Sequence, residues 1–509
     1  MSNPHRFNIS SGIKDIFWPI ERSEIKLFVP LGLLMLLMLY NFGALRSIKD
    51  SLVVPNIGAE VISFLKLWLV FPSTIIFTLI YVKLSNIFDY EKLFYVIISF
   101  FLGFFIIFTY FLFPQQEQLH LTDETISHLT AQYPNLKWFI KILAKWSYAL
   151  MYVFCELWSV VIINLLFWQF ANHIFDTKSA KRLYPFLGVV GNFGLIIAGN
   201  VLVAFSDLPS IADGDILDSD TYNIHIRPRA VLTPIMNSVI LSGIFAMIVF
   251  AYVNRYAVKK NIFENNKLPL SKTKTTLSFK DSIKLILNSK YIGHIVLLVV
   301  CYGFLINILE GPWKSKVREL YPNTIDYLNF MGRFNICMGI SCVLFTIVGS
   351  NILRKFSWRT SALITPYMMS VTGFIFFVFV ILSNYANSDS ELFNPLYFAI
   401  IIGAVQNILS KSTKYSLFDS TKEMAYIPLP LELKTKGKAA VEVIGLKFGK
   451  SLGAFMQSFM FILMPIATFD SVSIYLLIIF IVIMMLWIWN VKMLNREYLK
   501  LKGSEDEVS

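Results

Sequence analysis

The chain has 509 residues, of which 56% are hydrophobic and 15% charged, and its mean hydropathy is +0.62. Soluble globular chains carry about 25% charged residues, so the composition lies outside the ordinary soluble class and makes a membrane protein the first class to test. The formal net charge of +12 does not call for a nucleic-acid partner, because no nucleic-acid-binding module occurs and the basic residues fall where a membrane topology places them.

Residues 1–26 are polar and of mixed charge, without the apolar run and small-residue cleavage site of a signal peptide. Apolar runs then follow at 27–46, 60–82, 91–113, 147–174, 182–206, 231–254, 291–313, 325–353, 359–383, 391–410, 439–466 and 471–491. Each reaches the ~20 residues that cross a hydrocarbon core as a helix. The runs are continuous, unlike the ~10-residue alternating strands of a membrane barrel, and in lipid a spanning segment must satisfy its own backbone groups. The expectation is an all-α membrane protein with about twelve transmembrane helices. Its divisions are an N-terminal segment 1–26, a six-helix bundle 27–254, a basic linker 255–290, a second six-helix bundle 291–491 and a tail 492–509.

Lys and Arg set the expected orientation. The 255–290 linker carries Arg255, Lys259, Lys260, Lys267, Lys272, Lys274, Lys280, Lys284 and Lys290, and the 175–182, 354–359 and tail segments are basic as well. All lie on one side of a twelve-span chain, opposite the Asp-rich stretch 207–220. The positive-inside rule then puts both termini in the cytoplasm. Two basic clusters break the rule: Arg46 with Lys49, and Lys314 with Lys316 and Arg318.

The two halves echo each other. After the fourth span come Phe175-Asp176-Thr177-Lys178 and then Gly188, Gly191 and Gly194. After the tenth come Phe418-Asp419-Ser420-Thr421-Lys422 and then Gly445, Gly449 and Gly453. The first span ends on Leu45 to Lys49 and the seventh on Leu309 to Lys314. Parallel six-helix repeats are the layout of major-facilitator-like transporters, with the substrate near the midplane between halves.

Charges inside spans cost ~2.5–3.5 kcal/mol each on insertion scales. Glu156 stands in a long apolar run, either as a packing charge paired to another helix or as a cavity residue, and Asn164 lies about 80° round the same helix at 100° per residue. Glu310 sits near the end of the seventh span beside Trp313 and Lys314, and Lys49 ends the first; both positions also suit interfacial anchors. Lys450 lies within the eleventh span. The segment Gly445 to Ser451, which includes Lys447, has three residues between its glycines where a Walker A loop needs four, and no strand precedes it. Gly445, Gly449 and Gly453 equally suit close helix packing. Lys411, Lys414, Asp419, Lys422 and Glu423, with Asp176 and Lys178 in the first half, form a candidate gate, and Lys434, Lys436 and Lys438 a basic flank. The four cysteines sit in apolar runs and the six histidines are scattered, which suggests no metal or disulfide framework.

YSLFDSTKEMAYIPL followed by KGKAAVEVIG and GKS, ELW with FWQFAN in the fourth span, Lys49-Asp50 after the first and Glu310 with Trp313-Lys314 after the seventh resemble the ADP/ATP translocases of obligate intracellular bacteria and plastids, above all the rickettsial carriers. The resemblance covers residues 20–495. Departures are Ser420 and Pro430 where the family usually has Pro and Asp, and Leu452 and Glu442 where it commonly has Gly and Asp; these bear on base specificity.

The resemblance implies a nucleotide antiporter that imports host ATP in exchange for ADP across the bacterial inner membrane. Its charged functional positions map onto Lys49, Glu156, Glu310 and Lys450. The residues themselves add Asn164, Trp313 and Lys314 as further candidate substrate contacts. Arg46, Lys414 and Lys447 are alternative phosphate ligands, and Lys422 competes with Lys414 and Lys450 for the second phosphate lysine. ATP and ADP are then transported substrates and no cofactor is expected. The partners are nucleotide and lipid bilayer, with a monomer as the working unit. The alternatives are carriage of GTP, UTP, CTP or NAD, or proton-coupled nucleotide symport with Glu156 as proton carrier. An enzyme is not expected, since no nucleophile–base pair is present.

Overall fold

The computed structural model describes residues 20–21, 24–175, 177–208, 227–259, 289–385 and 394–506, with side chains throughout except at 173, 177–178, 180–181, 257–259, 431–440, 442–447 and 502–506. No strand occurs among the described residues. Among the described residues, twelve long helices carry the fold. In the first half they are α1 (Ile25–Asn56), α2 (Val61–Ile87), α3 (Tyr90–Leu112), α4 (Trp146–Asn172), α5 (Thr177–Ser206) and α6 (Arg227–Lys259). In the second they are α7 (Lys290–Leu320), α8 (Thr324–Lys355), α9 (Trp358–Tyr385), α10 (Pro395–Thr413), α11 (Leu431–Leu463) and α12 (Phe469–Asp506).

Ten of these are long and apolar enough to cross a membrane by themselves. The other two, α10 and α11, carry polar residues within their apolar runs, Gln406, Asn407 and Lys411 in α10 and Lys450 and Gln457 in α11. An apolar solvent is needed to explain α2, which exposes Ile75, Ile76, Leu79, Ile80 and Val82. Such a stripe is stable facing lipid and is an aggregation hazard facing water.

Glycine contacts fix how the helices run. A Cβ on Gly194 would stand 2.3 Å from the carbonyl oxygen of Leu36, so only glycine lets α5 lie this close to α1. Gly32 meets Val190 and Gly43 meets Leu195 and Ala198, so α1 and α5 run parallel. In the second half Gly449 meets Val300 and Gly453 meets Asn307, so α11 runs parallel to α7 in the same way. The first and fifth helices of each half therefore pack alike, each through the glycine series that the sequence shows twice. Between the halves, α5 and α8 cross through Gly199, Gly332 and Gly339 in antiparallel sense.

The side of the bundle where α1 begins and α12 ends is the terminal side, and the opposite one the far side. On the far side three short helices, Gln116–Leu119, Asp123–Gln132 and Lys137–Ala144, fill the connection between α3 and α4. Trp138 from this cap packs on Gly58, whose φ of 135° turns the chain from α1 into α2 in a conformation that favours glycine. Among the described residues, α2, α3 and α4 contain π-helical turns, at Leu65–Val70, Phe108–Leu112 and Ser159–Phe167, and another, Lys414–Phe418, directly follows α10. Such turns recur at functional sites because they re-aim neighbouring side chains.

Candidate functional site

α1 does not end at Lys49, as the apolar run suggested. It runs on to Asn56, which leaves Lys49 about 10 Å inside the helix at 1.5 Å per residue. α7 likewise runs past Glu310 and Lys314 to Leu320. The charges that the sequence placed at span ends are therefore within the bundle, where they meet.

Asp50 is the hub of one part. Its carboxylate has no exposed surface and lies between Lys49 Nζ at 2.9 Å and Lys314 Nζ at 2.8 Å. These lysines come from the first helices of the two halves. Lys49 also pairs with Glu156 of α4 at 3.0 Å and lies 3.9 Å from the ring centre of Tyr152. Glu310 is the second hub, paired with Arg46 at 3.2 Å, Lys66 at 3.0 Å and Lys314 at 3.3 Å. Lys66 sits on the π-helical turn of α2 and donates to Asn307 Oδ1 at 2.8 Å. Asn307 in turn donates to the carbonyl of Lys450 at 3.0 Å.

Lys450 itself is exposed and faces the charges of Glu156, Lys66 and Glu310. Lys411 of α10 reaches the same region from the terminal side, 5.7 Å from the ring centre of Phe334. Asn164 is exposed on the π-helical turn of α4. Its wider turn advances each residue by less than an α-helix does, which brings Asn164 back toward the face that carries Glu156. Six cations (Arg46, Lys49, Lys66, Lys314, Lys411, Lys450) thus gather round three carboxylates (Asp50, Glu156, Glu310). The excess of three positive charges suits a compact polyanion, for which lysines serve as point charges and Arg46 as a fork.

Other expected positions fall elsewhere. Trp313 is fully buried, donates to the carbonyl of Ile400 at 3.0 Å and packs on Phe334 and Phe330; the indole is core and not cavity wall. Lys316, one of the misplaced basic residues, binds Asp470 and Asn384 at 2.9 Å within the second half. In the gate, Lys414 pairs with Asp419 at 2.7 Å and Lys422 with Glu423 at 3.5 Å, both within the second half. Lys414 lies against Tyr302 and Tyr415. Asp176 and the side chains of Lys178 and Lys447 lie outside the described residues. Cys337 is exposed, unlike the other three cysteines.

Asp50, Lys66, Asn307 and Tyr152 were not singled out from the sequence. Lys66 had a signal, since it interrupts an apolar run as Glu156 does. Asp50 was hidden by its apparent place just beyond a span.

Among the described residues, the ties between halves gather on the far side. Besides the Glu310 and Asp50 pairs, Asn335 donates to Gly43 O at 3.0 Å and to Ser47 Oγ at 2.9 Å. Asn56 donates to Thr324 at 3.1 Å, Phe469 N to Glu60 at 3.2 Å, and Asn135 of the cap to Ile462 O at 3.1 Å.

The family described as TLC ATP/ADP transporter matches residues 5–498. The chain belongs to this family. It is 62% identical over 491 residues to ADP,ATP carrier protein 3 of Rickettsia prowazekii (strain Madrid E), covering 96% of this chain and 98% of the relative. It is 44% identical over 515 residues to ADP,ATP carrier protein 1 of the same organism, with full coverage of both. Among solved structures, the inward-open xylose transporter XylE of E. coli is similar at a TM-score of 0.53 and 13% identity, covering 91% of this chain and 95% of that one. A bacterial metal transporter gives the same TM-score at 12% identity, with 92% and 98% covered. At these identities the likeness concerns fold alone, and the fold is of the major-facilitator type. As a family member the chain is a multi-pass membrane transporter and not an enzyme.

Proposed function

We propose that the chain exchanges ADP for ATP across the bacterial inner membrane by alternating access, with both termini in the cytoplasm. The observation that carries this reading is the cluster of six cations round Asp50, Glu156 and Glu310 between the two halves. Lys49, Arg46, Lys66 and Lys450 take the nucleotide phosphates as charge-assisted partners. Glu156 and Glu310 hold those cations in place when no nucleotide is bound, and Asn164 offers an amide to base or ribose. The names of the rickettsial relatives, ADP,ATP carrier proteins, support the nucleotide pair. The far-side ties make this conformation one closed on the far side, which in the proposed orientation faces away from the cytoplasm.

Coupling follows from charge. Emptied, the cluster keeps uncompensated positive charge in a low-dielectric setting, and moving it through the closed state is unfavourable. Occupied, it is neutralised and the halves can rock. Return therefore requires a second nucleotide, and exchange is obligatory; the working unit is the monomer and no cofactor takes part. The test is uptake of labelled ATP into proteoliposomes. Uptake is expected only with ADP or ATP inside, without dependence on a pH gradient, and competed by ADP more strongly than by GTP, UTP, CTP or NAD. Equal uptake into empty and ADP-loaded vesicles sinks the reading.

A further inference from the structure

Four cations of the cluster have carboxylate partners within 3.3 Å: Arg46, Lys49, Lys66 and Lys314. Lys411 does not. Its ammonium nitrogen is buried and has no hydrogen-bond partner among the described residues. The charges that act on it are Arg46, Lys314 and Lys450, all repulsive, and Glu310, which is already shared by three other cations. It stands 5.7 Å from the ring centre of Phe334, and the guanidinium of Arg46 stands 6.0 Å from the same ring. Arg46 comes from α1 and Lys411 from α10, so one aromatic ring spaces two like charges from opposite halves.

A buried unpaired ammonium is among the most unfavourable groups a protein can hold. Lys411 and the Glu310-paired guanidinium of Arg46, both near one ring, form a cradle for a small anion, which removes their repulsion and supplies the acceptor that Lys411 lacks. The polyphosphate-reading hubs at Asp50 and Glu310 lie on the far-side part of the bundle, whereas Lys411 approaches from the terminal side, near the end of α10. The cradle therefore marks one end of the cluster.

We propose that Lys411 and Arg46, spaced by Phe334, form a subsite for a single terminal phosphoryl group, and that this subsite distinguishes a nucleoside triphosphate from a diphosphate. The proposal rests on the exchange function above, with the diphosphate held by the remaining cations. A charge-assisted hydrogen bond contributes ~1.5–3 kcal/mol, so Lys411→Met raises KM for ATP by about tenfold or more and that for ADP by no more than about twofold. Lys411→Arg preserves the ATP preference. Equal effects of Lys411→Met on the two nucleotides, or none on either, overturn the proposal. If Lys411→Met does not fold, Phe334→Leu serves instead: it keeps every charge but removes the spacer, and it too must weaken ATP more than ADP. A second readout separates the subsite from the function itself. Purified full-length protein is heated with inorganic pyrophosphate or tripolyphosphate. The wild type gains more thermal stability from tripolyphosphate and Lys411→Met gains equally from both; equal gains in the wild type refute the subsite even if the protein proves to carry another polyanion.

Discussion

Glu310 bears three cations on one carboxylate, and its removal leaves all three short of a counter-charge. Breaking a buried pair from one side costs ~3–5 kcal/mol because the remaining charge is stranded. Glu310→Gln is therefore expected to lower the thermal midpoint of the purified protein and abolish transport. Adding Lys66→Gln restores part of the stability, since one stranded cation is gone; a double variant no more stable than the single one contradicts this. Lys49 and Glu156 were legible in the sequence because charge in an apolar run is expensive, and the structure pairs them at 3.0 Å. Trp313 was misread for a related reason: its neighbours Glu310 and Lys314 face the cluster, but at one residue from Lys314 the helix turns it by about 100° into the core. Asp50 could not be placed because hydropathy marks where an apolar run stops and not where the helix stops.

At the scale of elements, the α5–α8 crossing depends on the absence of side chains. A Cβ on Gly199 would stand 2.5 Å from the carbonyl oxygen of Gly332. Gly199→Val is expected to pry this crossing apart and to expose a cysteine placed at Thr324 to a membrane-impermeant maleimide; unchanged labelling would count against α5–α8 as the far-side seal. The far-side cap carries a pH response of its own. Burial and the nearby Lys145 push the His120 imidazole from 6.5 down to about 4, where its Nε2 shares a 2.7 Å hydrogen bond with Ser147. The folded cap therefore holds His120 neutral while the unfolded chain takes up a proton below about 6.5. The cap's stability is complete above about pH 6.5 and falls as pH drops toward 4. Hydrogen exchange of 116–144 should speed up across that window, and His120→Gln should flatten the response. The spans were legible as apolar runs, and the glycine series as a repeat, because both are local patterns. The cap was not, since its short helices lack the length that gives a periodic signal.

Over the whole molecule, the far-side ties describe one state of a two-state device. Cysteines replacing Asn56 and Thr324, whose side chains are 3.1 Å apart, should cross-link readily in nucleotide-free protein. The bridged protein should not transport until reduced; transport through the bridge would mean that the far side need not open. The repeat could be read from the sequence, but the meeting of Lys49, Asp50 and Lys314 could not, because it depends on how two halves separated by the 255–290 linker come together. The measurement that bears most directly on the account is a ladder of affinities for adenosine, AMP, ADP and ATP on the purified chain, taken for the wild type and for Lys49→Gln. The account predicts affinity that climbs with each phosphate in the wild type and a flattened ladder in the variant, whereas adenosine binding as tightly as ATP, with Lys49→Gln indistinguishable from wild type, would contradict it.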